Sequence, residues 1–208
     1  MKTPTSVIVL CLPPVLASLA PIPAQAHLVV SGMGPLYDGI SHFALSPEDF
    51  LPVIALALFA GLRGPAHARA LSWIILLAWF AGGLLAMMIF TPPDIALSAT
   101  TAVLFLLVGG LLAANLRLSV ATCAGLGAML GVARGTADLV SVRESPAHIL
   151  MLLGMGVAIL VTFAITASVT FPLKRLWMVV VARTIGSWLA ALGLLLAGWI
   201  LRYGPIAR

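Results

Sequence analysis

Apolar residues fill this chain in long blocks, separated by short polar punctuation. A helix needs roughly 20 residues to span the hydrocarbon of a bilayer. Six blocks reach or approach that length, at about 47–62, 71–90, 93–116, 118–132, 146–170 and 177–201. None shows the strict alternation of a barrel strand, and only helices or closed barrels satisfy backbone polar groups in lipid. The pattern therefore predicts an all-α polytopic membrane protein with six transmembrane helices. Composition agrees, with hydrophobic residues at 62% and charged ones at 8%.

The start of the chain reads differently. Lys2 supplies a positive end, 6–19 an apolar region broken by Pro13 and Pro14, and Ala24-Gln25-Ala26 a small-x-small cleavage site. We expect a signal peptide over 1–26 and a single six-helix domain over 27–208, with His27 as the mature N-terminus. The alternative is an uncleaved anchor, which the two prolines disfavour. Loss of the signal would remove Cys11, leaving Cys123 in an apolar, Gly-rich segment where it reads as a small packing residue.

Charge placement gives the orientation. A cleaved signal puts the mature N-terminus in the periplasm and the protein in a bacterial inner membrane. The inner loops are then 63–69, the turn around Arg117, and Lys174-Arg175, which carry basic residues and no acid. This explains the basic excess, so nucleic acid is not implied. All six carboxylates (Asp38, Glu48, Asp49, Asp94, Asp138 and Glu144) fall on the outer side, beside basic residues that include Arg134 and Arg143. Two readings stay open. Acids remain outside by default, or they line a vestibule that attracts cations.

Three predicted spans begin alike: Ser46-Pro47-Glu48-Asp49, Thr91-Pro92-Pro93-Asp94 and Ser145-Pro146-Ala147-His148. Ser or Thr at the N-cap, Pro just inside and an acid in the first turn is good helix-start chemistry with no further purpose. Depth offers another reading for the first. Asp49 lies 14 residues before Arg63, roughly 21 Å of helix against roughly 30 Å of hydrocarbon. A helix mouth that sinks into the membrane with carboxylates on it suits an ion path.

The segment Gly39-Ile-Ser-His42-Phe-Ala-Leu-Ser-Pro-Glu48-Asp49 resembles the first-span motif of the HupE/UreJ hydrogenase and urease accessory membrane proteins, a histidine followed after five residues by Asp-His. Asp94-Ile-Ala-Leu-Ser98 looks like the start of the family's third span, and Arg183-Thr-Ile-Gly186 is similar to the Arg-x-x-Gly of its last. The resemblance implies a six-span fold behind a signal sequence and a part in nickel or cobalt supply. Departures are specific. Asp49 stands where the family has its second first-span histidine. The family's fourth-span Phe-His-Gly…His-Gly-x-Glu signature reads here as Ala128-Met-Leu-Gly-Val-Ala-Arg134-Gly135-Thr136-Ala137-Asp138, with one histidine replaced by arginine and the acid displaced. An arginine at a former ligand position would repel a divalent cation.

The candidate metal ligands are His42, Glu48, Asp49 and Asp94, with His27 and His148 as further members of an outer set. Mixed nitrogen and oxygen donors suit borderline cations. His67, in the basic inner loop, reads as solvated. Arg183 either snorkels or pairs with a buried polar group, and the Gly127, Gly131, Gly135 series and Gly154-x-Gly156 read as helix-packing features. No nucleophile–base pair or phosphate loop is present, so we expect no enzyme and no tightly bound cofactor. The leading expectation is a permease or delivery protein for nickel or cobalt in the lipid bilayer, with metalloenzyme assembly factors as possible partners. The alternative is a non-transporting accessory protein that has lost its metal ligands.

Overall fold

The computed structural model describes residues 31–88, 94–171 and 176–204. The expected signal peptide and His27 lie outside the described residues. Seven helices follow: α1 (Pro35–Leu45), α2 (Pro47–Arg63), α3 (Pro65–Met88), α4 (Asp94–Ala114), α5 (Val120–Val142), α6 (His148–Thr170) and α7 (Leu176–Tyr203). No strand occurs among the described residues. Five of the helices are long and apolar enough to cross a membrane, and α1 with α2, bent by 73°, has the length and composition of either a sixth, broken span or a re-entrant loop. The fold is the all-helical polytopic one that the apolar blocks predict.

The differences from the expected spans are local and have clear causes. Pro47 cannot donate the hydrogen bond that would carry α1 onward, so the chain turns at Ser46, whose backbone is extended. Ser46 caps α2 by position only, because its side chain makes no cap bond. The expected helix start at Ser145 also shifts. Ser145 Oγ accepts from the Ala147 amide within a turn, and α6 begins at His148. The inner loop expected over 63–69 shrinks to a break at Gly64, whose φ of 113° suits only glycine. Helix α3 resumes at Pro65. Most consequential, the fourth span does not stop near 132. Helix α5 runs to Val142 and carries Arg134 and Asp138 into the bundle interior.

Close helix pairs organise the bundle. Helix α3 packs most extensively on α5, α4 on α7, and α1 on α6. A Cβ placed at Gly135 would stand 1.9 Å from the Trp79 carbonyl oxygen, so α3 and α5 touch through bare backbone there. Gly39 and Gly154 play the same part where α1 meets α6. Of the glycines expected to be packing features, Gly131, Gly135, Gly154 and Gly156 are used as such, whereas a Cβ at Gly127 would make only ordinary contacts. Cys123 is buried and free, also as expected of a packing residue.

Arg183 settles the question left open about it. Its Nε donates to the Ala113 carbonyl at 2.8 Å, at the C-terminal end of α4 where orphan carbonyls collect. Three residues on, Gly186 lets α7 close against α4, where an added Cβ would meet the Ala113 amide nitrogen at 2.5 Å. The Arg-x-x-Gly element is thus a helix-docking device. Arg183 is exposed, so Arg183→Ala is expected to cost at most about 1 kcal/mol, read as a small fall in thermal midpoint in detergent.

His67 is tied rather than merely solvated, with Nε2 3.2 Å from the Leu118 carbonyl. Arg63 Nη2 donates to Asn115 Oδ1 at 2.9 Å and also to the Leu116 carbonyl. These contacts fasten the α2–α3 corner to the α4–α5 turn.

Candidate metal centre

The buried polar residues of the described bundle include Asp49, Ser98, Thr101, Arg134, Asp138 and Thr170. Four of these six belong to one constellation. Asp49 rises from the first turn of α2, just past the bend. Arg134 and Asp138 stand four residues apart on α5, so they share a face of that helix. Thr101 comes from α4, and Trp79 from α3 completes the set.

Arg134 holds the constellation together. Its Nε–H donates to Asp49 Oδ1 at 2.5 Å, and Nη2 reaches the same oxygen. Nη2 also faces Asp138 Oδ1 at 3.4 Å, and Nη1 donates to Thr101 Oγ1 at 3.1 Å. The other oxygen of Asp138 accepts from the Trp79 indole N–H at 2.6 Å. Both carboxylates are about 3% exposed and Arg134 about 5%, so the ions have exchanged water for one another. Such burial is costly unless the charges are paired and hydrogen-bonded, and here they are. With both acids ionised, the triad carries one uncompensated negative charge.

His42 approaches from α1. Its Nε2 lies 3.4 Å from Ser141 Oγ, and that hydroxyl donates to the Asp138 carbonyl at 2.7 Å. One ring nitrogen of His42 and one carboxylate oxygen each from Asp49 and Asp138 lie within 4.8 Å of one another. Ligands about 2.1 Å from a shared ion sit at most about 4.2 Å apart. Three ligands spread evenly around one ion at that radius are only about 3.6 Å apart, so the side chains would close in by up to about 1.2 Å to share a cation. A void of ≈ 10 Å³ adjoins Asp49, Arg134 and Asp138 and is walled by Phe43, Val53, Ile75 and Leu130; His42 does not line it. That is about the volume of a single water. A bare or nearly bare ion fits it, and an organic solute does not.

The expected ligands divide accordingly. His42 and Asp49 come together across the α1–α2 bend. Glu48 is half-buried and outside this group. Asp94 opens α4, and its side chain lies outside the described residues. His148 is outside the group, with Nδ1 2.9 Å from the Ser145 carbonyl. Asp138, Arg134, Trp79 and Thr101 were missed as members. The signal for two of them was legible: Arg134 and Asp138 have i, i+4 spacing beside apolar sequence. Ending the fourth span near 132 placed them outside, which hid it.

The capping explanation for Asp49 also gives way. An acid serving only the helix dipole would face solvent or its own first-turn amides. The Asp49 carboxylate instead points across the bundle to a residue 85 positions later.

A family model described as HupE / UreJ protein matches residues 15–196. No curated protein and no solved structure matches the chain.

Proposed function

Since the chain belongs to the HupE/UreJ family, whose members are nickel- or cobalt-related accessory or transport membrane proteins, we propose that it accepts a divalent transition metal at His42, Asp49 and Asp138 and passes it across or along the membrane. The observation that carries this reading is the approach of three ligand side chains, from α1, α2 and α5, to within 4.8 Å of one another. An imidazole with two carboxylates is a donor set suited to nickel, cobalt or zinc rather than to the hard alkaline-earth ions alone. Ionisable groups inside a membrane bundle are expensive and mark ion paths more often than packing. The bend at Ser46 adds to this, because broken helices commonly build cation sites at mid-membrane depth. In the orientation set by the basic loops, metal enters from the outer side past His42.

A second reading has its own observation. Arg134 already pairs with both carboxylates, as a structural ion network would in an accessory scaffold without transport. Uptake of radiolabelled nickel and cobalt by cells expressing the protein separates the two. Transport predicts accumulation above empty-vector cells, with His42→Ala lowering it roughly tenfold or more while leaving the amount of membrane protein unchanged. Accumulation equal to the vector control would leave the scaffold reading standing.

A further inference from the structure

Arg134 borders two voids. One is the small space it shares with Asp49, Asp138 and Trp79. The other is a cleft of ≈ 170 Å³ between α4 and α5, lined by Ala96, Leu97, Thr100, Ala133, Thr136 and Ala137. The seam is loose for a structural reason. Helix α4 spends most of its contact on α7, and α5 on α3, so α4 and α5 meet only sparsely.

We propose that Arg134 is a tethered cation that competes with the metal: it holds Asp49 and Asp138 while the site is empty and swings into the α4–α5 cleft when a divalent cation arrives. This rests on the metal reading above and goes beyond it by naming what controls occupancy. Charge supplies the first argument. With both acids ionised, the carboxylates and Arg134 carry one net negative charge, and a divalent ion added among them would be repelled by the guanidinium at contact distance. Moving the guanidinium away makes two carboxylates match one divalent ion. Geometry supplies the second. Arg134 contacts Asp49 Oδ1 through two nitrogens, so that oxygen is committed to the arginine until it leaves.

The cleft is fitted to receive a guanidinium. Thr101 Oγ1 donates to the Leu97 carbonyl and already accepts from Arg134 Nη1. It can keep that bond as the side chain turns. Thr100 and Thr136 donate their hydroxyl protons to the carbonyls of Ala96 and Val132. Their oxygens therefore retain lone pairs for further N–H donors. The cleft has room where the carboxylate void does not.

The test is nickel binding to the purified full chain in detergent by isothermal titration calorimetry. It compares wild type with Arg134→Lys and with two variants that fill the cleft from opposite walls, Ala96→Leu and Ala133→Leu. Competition predicts an unusual sign. Arg134→Lys loses the two-nitrogen grip on Asp49, so nickel should bind at least fivefold more tightly, whereas a merely structural arginine would give weaker binding when replaced. Filling the cleft leaves Arg134 nowhere to go and should weaken binding at least tenfold in either variant, with retained helicity showing which variants have folded. Wild-type binding with unchanged affinity in the cleft variants, or weaker binding in Arg134→Lys, overturns the gate and leaves the metal site standing. No nickel binding by any of the four proteins overturns both.

Discussion

Replacing Asp49 by Ala is expected to be the most damaging single change in the bundle. It removes the carboxylate that Arg134 touches through two nitrogens and leaves the guanidinium buried beside Asp138 at 3.4 Å and Thr101 at 3.1 Å. Breaking a buried pair on one side costs about 3–5 kcal/mol where the remaining charge is uncompensated, and with Asp138 still beside Arg134 the lower end of that range is expected. A large fall in thermal midpoint in detergent and loss of nickel uptake are the expected readouts. The triple change Asp49→Leu, Arg134→Met and Asp138→Asn separates stability from function. It removes every charge of the triad and keeps an oxygen for the Trp79 N–H. Exchanging a buried ionic triad for uncharged groups of similar size is often neutral or stabilising, so the triple variant should regain most of the lost stability. It should not regain uptake, because the carboxylates are gone. Full recovery of uptake in the triple variant would sink the assignment of Asp49 and Asp138 as metal ligands.

Gly135→Val is the second. An atom at the Cβ position of Gly135 would sit 1.9 Å from the Trp79 carbonyl oxygen and 2.7 Å from its carbonyl carbon. These are backbone atoms of α3 and cannot rotate aside, so the helices must separate. Overpacking costs roughly 1–3 kcal/mol and occasionally more, and a rigid backbone partner puts this case at the upper end. Functional damage follows from position. Trp79 is the residue whose indole N–H fixes Asp138, so separating α3 from α5 loosens that carboxylate. Unfolding followed by tryptophan fluorescence should show both a lower midpoint and an altered native signal. Gly125→Ala is the control. It lies on the same helix, where an added Cβ meets nothing within 4 Å. It should be neutral or slightly stabilising, since glycine inside a helix costs about 0.5–1 kcal/mol relative to alanine. Equal effects of the two substitutions would mean that helix propensity, not the α3–α5 contact, sets the cost.

Both predictions concern parts of the site that one-dimensional reasoning weighed unevenly. His42 and Asp49 were visible because their spacing resembles a family motif and because Asp49 sits too near Arg63 for a full span. Arg134 was visible only as an anomaly, an arginine where the family has a ligand. Its sign is what misled: a cation at a metal site looks like a loss of function until its partners are known. Those partners are two carboxylates, Asp49 and Asp138. Glu48 is the converse case, adjacent to Asp49 and equally acidic, yet one residue of helix rotates it by about 100°. It stands outside the converging group.

Hydrophobic length and loop charge sufficed for the class, because a bilayer imposes its thickness and its hydrogen-bonding rule on any chain that crosses it. Glycine spacing likewise pointed to close helix contacts, since absence of a side chain is a local property. Which glycine met which backbone was not local, and neither was the path of the first crossing, which breaks at Ser46 and turns by 73°. The centre itself was decided only by tertiary structure. Asp49 is neutralised by a residue 85 positions away and Trp79 is bonded to one 59 positions away. An ion in low dielectric costs least beside its counter-charge, so the pairing decides where the charges lie in this structure. Sequence supplies the charges, and the bundle decides which of them meet.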